Sequence, residues 1–146
     1  MNEHGELTYS KGEGTSMLPL LRQGRDEFTV RKKGSARCSK YDVVLYKKPQ
    51  NRFVLHRIIE VRERDYVIMG DNCLRREYGI TDDDIIGVMT GFVRNGKAHS
   101  VEEPGYRLYS RLWCAAAPLR IGFGSFKTLV RRLKNKIRRL LNEKQR

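Results

Sequence analysis

The chain has 146 residues, enough for one domain with its own hydrophobic core, and 39% of them are hydrophobic and 32% charged. This composition excludes a disordered or fibrous protein. The net charge of +13 is uneven, because residues 119–146 carry 10 Lys and Arg against one acid, whereas residues 1–118 carry 20 against 16.

Residues 1–13 are polar and are expected to form a flexible lead. Short alternating or β-branched runs separated by turn residues then predict an antiparallel, mainly β domain over residues 14–103. The predicted turns are Gly70-Asp71-Asn72 and Asn95-Gly96, the second of which joins the last two strands as a hairpin. The predicted strands cover residues 27–32, 41–46, 53–63, 66–69, 85–93 and 98–101.

Residues 104–146 are expected to form a basic, helical C-terminal segment. Ser125 is a favourable N-cap, and apolar residues at three- and four-residue steps form one stripe towards Glu143, with Lys and Arg around it. Such an amphipathic helix suits an anionic membrane surface, which is the partner we favour. Packing on a protein, including its own domain, and nucleic-acid binding are the alternatives. Three upstream aromatic residues would then lie at the membrane interface: Tyr106, Tyr109 and Trp113.

The cysteine pattern and hydropathy restrict the cellular setting. Cys38, Cys73 and Cys114 lack metal-type spacing, which argues against a zinc site or a disulfide framework and fits a reducing compartment. The N-terminus lacks the apolar core of a secretory signal, and no stretch approaches the roughly 20 apolar residues of a membrane helix. We therefore expect a cytoplasmic protein that associates with a membrane peripherally.

Ser16 is the candidate nucleophile, because it follows Gly14-Thr15 and precedes Met17-Leu18-Pro19 on a bend outside any regular element. A serine hydroxyl needs a general base within hydrogen-bonding reach. His56 is the one histidine inside a strongly apolar predicted strand, and an imidazole accepts protons near neutral pH. Taken singly, a turn serine is usually structural and a strand histidine usually belongs to the core. Their pairing therefore needs further support.

That support is a resemblance to the superfamily of signal peptidase I and the LexA-type self-cleaving repressors. The resemblance covers residues 14 to about 93 and rests on four blocks that occur in the family's order. The blocks are Thr15-Ser16-Met17-Leu18-Pro19, Tyr41-Asp42-Val43-Val44, Leu55-His56-Arg57-Ile58-Ile59 and Gly70-Asp71-Asn72.

The block around the base is most similar to the endoplasmic-reticulum and archaeal branch, which has histidine followed by arginine where other branches have lysine. His56 follows Ser16 by 40 residues, a similar spacing. In that branch an acid six residues beyond the turn aspartate completes the triad, and here Glu77 stands six residues after Asp71. Either acid is a candidate to orient His56. The alternatives are an Asx-turn role for Asp71 and a solvated surface charge for Glu77.

The resemblance implies a twisted antiparallel β domain and a serine endopeptidase that works through an acyl-enzyme. Ser16 would attack, His56 would carry the proton, and the backbone N–H of Ser16 would stabilise the oxyanion. No metal or organic cofactor would be needed. The partner would be a precursor or leader peptide, cut after small residues. Signal peptidases usually carry a membrane helix before the serine, and the basic C-terminal helix would replace that anchor.

Two other functions remain open from the sequence. The domain could be a catalytically inactive member of the same fold that only binds peptides. It could also be a nucleic-acid-binding module that uses its basic tail. We do not expect nucleic acid as the partner, because the domain shows no interleaving of aromatic and basic residues.

Overall fold

The computed structural model describes residues 6–10 and 14–122. Within these residues the chain is mainly antiparallel β, which confirms the predicted class, and a short helix follows the strands. Short 3-10 turns, Pro49–Asn51 and Asp82–Asp84, precede two of the strands. The elements are β1 Glu6–Ser10, β2 Glu27–Lys32, β3 Val43–Lys48, β4 Arg52–Val61, β5 Tyr66–Met69, β6 Glu77–Ile80, β7 Ile85–Arg94, β8 Lys97–Ser100 and α1 Pro104–Ala115.

The strands form one sheet in the order β1-β2-β7-β3-β4-β5-β6, with β8 added to β7. Successive side chains of a strand point to opposite faces, so Val43 and Val44 of β3 enter two different cores. The first core is Met17, Leu20, Leu21, Phe28, Val30, Val43, Leu55, Met89 and Phe92. The second core is Cys38, Val44, Tyr46, Ile58, Tyr66, Ile68 and Ile85.

The expected flexible lead over residues 1–13 is corrected by the structure, because part of it forms the edge strand β1. Leu7 lies opposite Val30 of β2, and the ring of Tyr9 stacks on Phe28 at a centroid distance of 5.8 Å. The segment alternates, with Leu7 and Tyr9 between polar residues, but the polar and glycine-containing sequence on both sides of it concealed this short strand.

The strands that were predicted lie close to their predicted bounds. β2 and β5 begin and end at the predicted residues. The β7–β8 turn places Asn95 at φ 51° and Gly96 at φ 73°, the left-handed pair that a two-residue hairpin requires. β6 was missed: it is only four residues long, and Gly79 adopts φ 74° within it.

The compact unit that contains the sheet extends to Cys114, beyond the expected boundary at residue 103, so most of α1 belongs with the β domain. Tyr106, Tyr109 and Trp113 are partly buried and hydrogen-bonded within this unit. Their place at a membrane interface stays a prediction. The exposed apolar side chains of α1 are Leu108 and Leu112, which are 58% and 61% exposed.

The second unit, Ala115–Arg146, is described only through residue 122, and residues 117–122 are helical. The amphipathic helix predicted from Ser125 lies outside the described residues. Within the described part of the chain, no helix combines the length and the apolar character needed to cross a membrane.

Candidate active site

Ser16 lies in an irregular turn that is anchored in the first core. The side chain of Ser16 is half-buried, whereas the next residue, Met17, and Leu21 further along the turn are fully buried. Backbone hydrogen bonds from Leu18 N to Thr15 O and from Leu21 N to Met17 O, at 3.2 and 2.8 Å, close the turn. The apolar residues that follow the serine therefore fix its backbone while its own side chain stays accessible.

Charged side chains reinforce the same turn from its far end. Asp26 is buried, accepts a hydrogen bond from Arg22 N at 2.8 Å and pairs with Arg25. Arg94 of β7 donates through Nη2 to the carbonyl oxygens of Pro19, at 2.7 Å, and Leu20. The turn is thus held by local ion pairing and by one side chain, Arg94, that is distant in sequence.

His56 is a buried residue of β4, only 5% exposed. Its Nδ1 lies 3.2 Å from Glu77 Oε1 and 3.2 Å from the hydroxyl oxygen of Tyr46. Tyr46 donates its hydroxyl proton to Glu77 Oε2 at 2.8 Å, so both groups facing Nδ1 present acceptor oxygens. Nδ1 must then carry the ring proton of the neutral imidazole, and Nε2 has the free lone pair that a general base needs.

Nε2 of His56 and the backbone carbonyl of Ser16 both lie beside Gly70. A Cβ built on Gly70 would lie 2.8 Å from His56 Nε2, 2.7 Å from Ser16 O and 2.7 Å from Cys73 Sγ. Asn72 N donates to Ser16 O at 2.8 Å, so the turn that carries Ser16 is hydrogen-bonded to the loop of Gly70 and Asn72. The Ser16 hydroxyl does not hydrogen-bond to Nε2 here, and such bonds often tighten only when substrate is bound.

Asp71 does not orient His56, which corrects one of the two expected assignments. Its carboxylate pairs with Arg57 through two hydrogen bonds of 2.8 Å, and both side chains are almost fully buried. Tyr109 also donates to Asp71 Oδ2 at 2.9 Å, and Trp113 donates to the Asp71 carbonyl at 2.9 Å. Asp71 therefore joins α1 to the loop that holds Ser16.

Strand register explains why the two acids have different partners. Arg57 of β4 lies opposite Met69 of β5, and Asp71, in the turn two residues after Met69, reaches the face that carries Arg57, as their ion pair shows. The next paired positions, Ile58 and Ile68, lie on the other face, to which His56 belongs. Glu77 of β6 lies opposite Ile68 and therefore reaches the face that carries His56.

Burial determines the protonation state of His56. Desolvation lowers the pKa of His56 below its ordinary value, and the positive charge of Lys48 lowers it further, whereas Glu77 and Asp71 act in the opposite direction. Partial burial by itself would raise the pKa of Glu77, but hydrogen bonds from Lys48 and Tyr46 bring it below the ordinary value. At neutral pH the site thus holds a neutral imidazole beside an ionised carboxylate.

This charge arrangement predicts the pH dependence of any Ser16 reaction that needs neutral His56. The rate should stay maximal through neutral pH and fall only in acid, with a midpoint below the ordinary histidine value of about 6.5. Glu77→Gln removes a charge that favours imidazolium, so the midpoint should move to lower pH. Lys48→Met removes a charge that disfavours imidazolium, so the midpoint should move to higher pH.

The measurement is the rate of Ser16 modification by a serine-directed phosphonate between pH 4.5 and 9, with wild type as the reference. Shifts of both variants in the same direction would contradict the assigned positions of Glu77 and Lys48 around His56.

Tyr46, Lys48 and Gly70 are site residues that sequence reasoning did not assign. Tyr46 faces His56 because Val44 lies opposite His56 and Tyr46 is two residues further along the same face of β3. Lys48 pairs with Glu77 at 2.5 Å. The sequence could not place Tyr46 beside His56, because the register of β3 against β4 is not a local property of the chain. Among the described residues, no group of three or more His, Cys, Asp or Glu is placed to hold a metal ion.

The chain was compared with protein-family models, with curated proteins and with solved structures, and none of them matches it.

Proposed function

We propose that this protein is a serine endopeptidase with a signal-peptidase/LexA-like fold, in which Ser16 is the nucleophile and His56 the general base. One observation carries the proposal: a buried His56 is held by Glu77 and Tyr46 at Nδ1, and its Nε2 faces the backbone of Ser16 across Gly70. A buried core histidine would also need a partner at Nδ1, so the feature that favours a catalytic role is the position of Nε2 beside the Ser16 backbone. The four ordered sequence blocks that resemble the family support the same proposal.

In the proposed reaction, Ser16 Oγ attacks a substrate carbonyl carbon while His56 Nε2 accepts the hydroxyl proton. The C–N bond then breaks, and the imidazolium returns that proton to the leaving amine, which leaves an acyl ester on Ser16. Water, deprotonated by the same Nε2, attacks the ester and releases the carboxylic acid and the free serine. Glu77 stabilises the transient imidazolium from the opposite side of the ring.

The oxyanion formed during attack needs a hydrogen-bond donor. The backbone N–H of Ser16 is the proposed donor, since it makes no hydrogen bond to another of the described residues. Gly14, two residues before Ser16, has no side chain that could add a second donor. The proposed substrate is a precursor or leader peptide with a small residue before the cut.

The test is covalent labelling with a peptidyl phosphonate that carries an alanine-like side chain, followed by peptide mapping in a mass spectrometer. We expect one adduct on Ser16 of the wild-type chain. Ser16→Ala should abolish the adduct, and His56→Ala should slow its formation by about 100-fold or more, the usual contribution of a general base. Ser39→Ala, at an exposed serine remote in sequence, is the matched control and should label at the wild-type rate.

Peptide mapping also separates Ser16 from the nearby thiol of Cys73, whose pKa is raised by burial and which is therefore a weak nucleophile at neutral pH. Absence of any adduct on folded wild-type protein up to pH 9 would overturn the proposal. The inactive peptide-binding member of the fold would then be the better interpretation.

A further inference from the structure

A cavity of about 310 Å³ lies between the turn that carries Ser16, β7 and the first turns of α1. It is not lined by His56 or Glu77. Its volume falls at the lower end of the range of small-molecule pockets, about 300–1,000 Å³. The lining residues that matter here are Pro19, Leu20, Phe92, Arg94, Tyr106 and Tyr109.

The lining combines aromatic rings with polar and charged side chains of both signs, which are Arg94, His99 and Glu103. The rings of Phe92, Tyr106 and Tyr109 follow one another at centroid distances of 6.0 and 6.5 Å. Arg94 donates through Nη2 to the turn that carries Ser16. An apolar wall beside charged groups of both signs suits a large apolar group next to hydrogen-bond donors and acceptors, which is the chemistry of an apolar residue in a peptide.

Two chains of contacts connect this cavity to Ser16. Pro19 and Leu20 belong to the turn that carries the serine. Tyr109 donates to Asp71, and the next residue, Asn72, donates from its backbone to Ser16 O. A group bound in the cavity would therefore contact Pro19 and Leu20 of the turn that carries Ser16, and Tyr106 and Tyr109 of α1.

We propose that this cavity binds a large apolar side chain of the peptide, such as phenylalanine or leucine, at a position other than the small residue at the cut. The substrate class thereby narrows to peptides that carry a bulky apolar residue near the cleaved bond. The assignment to a substrate residue rests on the proposed peptidase function, whereas binding of the side chain itself does not.

The chain provides its own reporter for this binding. Trp113 is its single tryptophan and stacks on Tyr109 at a centroid distance of 5.6 Å. We expect N-acetylphenylalaninamide to change the Trp113 fluorescence in a saturable manner and to shift the backbone amide NMR signals of Leu20 and Tyr109. N-acetylalaninamide should bind at least about tenfold more weakly, the usual discrimination of an apolar pocket.

Gly105 lines the cavity and allows it to be filled. A Cβ at Gly105 would meet no heavy atom within 4 Å, and the residue lies in the first turn of α1 without a left-handed φ. Gly105→Leu should weaken binding of the phenylalanine probe by tenfold or more. Gly105→Ala, the matched control, should bind it nearly as well as wild type. Circular dichroism would confirm that both variants are folded.

Equal binding of the two probes, or a Gly105→Leu variant that binds as well as wild type, would overturn the inference. Binding with the expected selectivity but without phosphonate labelling of Ser16 would support the cavity and refute the peptidase. Labelling without selective binding would do the reverse, so the two proposals fail separately.

Discussion

Arg57→Met is expected to lower the free energy of unfolding by about 3–5 kcal/mol, because it leaves the Asp71 carboxylate buried without its cation. The Arg57 and Asp71 side chains are only 1% and 2% exposed, so water cannot replace the lost charge. Arg57 also donates to Tyr41 O, and its hydrogen bonds to Tyr106 and Ser110 join β4 to α1. The measurement is urea-induced unfolding followed by circular dichroism.

Arg62→Met is the matched control, because Arg62 forms an ion pair with Glu60 in which both side chains are about half exposed. Its effect on the free energy of unfolding should be small, as for most surface pairs. Removing both charges, as in Arg57→Met with Asp71→Leu, should recover part of the loss. A single Arg57→Met variant as stable as wild type would show that the pair does not hold α1 to the sheet.

Gly70→Ala is expected to slow phosphonate labelling of Ser16 by about 100-fold, the effect of displacing a reacting group by about 1 Å. The added methyl would lie within 2.8 Å of His56 Nε2, Ser16 O and Cys73 Sγ, closer than real Cβ contacts occur. Ser16 O is a backbone atom held by Asn72 N, so the methyl would be accommodated by moving the His56 ring or by shifting the backbone of Ser16, and either movement changes the position of Nε2 relative to Ser16.

Gly34→Ala is the control for this substitution, because a Cβ at Gly34 would meet nothing within 4 Å. Gly34→Ala should label at the wild-type rate. Near-ultraviolet circular dichroism must show that Gly70→Ala is folded before its rate is compared. A folded Gly70→Ala variant that labels as fast as wild type would mean that Ser16 and His56 do not react across this position.

Much of the fold could be predicted from the sequence, because strand signals are local. The alternation of EFTVRK and the apolar run YVIM gave β2 and β5 with their observed ends. Asn95-Gly96 marked its hairpin because both positions require a left-handed backbone. The strands that escaped prediction, β1 and β6, are only five and four residues long, too short for a clear local signal, and each is held at an edge of the sheet by pairing with one neighbouring strand.

The candidate site was only partly predictable. Ser16 and His56 could be selected as candidates by residue type and local setting, a bend for the serine and an apolar strand for the histidine, together with the resemblance of the four sequence blocks to the family. Tyr46 and Gly70 could not be selected, because their roles depend on which atoms of other strands and loops lie beside them.

The choice between Asp71 and Glu77 shows what only the tertiary structure decides. The sequence by itself left two acids that follow His56, Asp71 and Glu77, as equal candidates to orient its ring. The register of β4, β5 and β6 then places Asp71 on the face of Arg57 and Glu77 on the face of His56. A one-residue change of register would exchange the two faces, and no local property of the chain records that register.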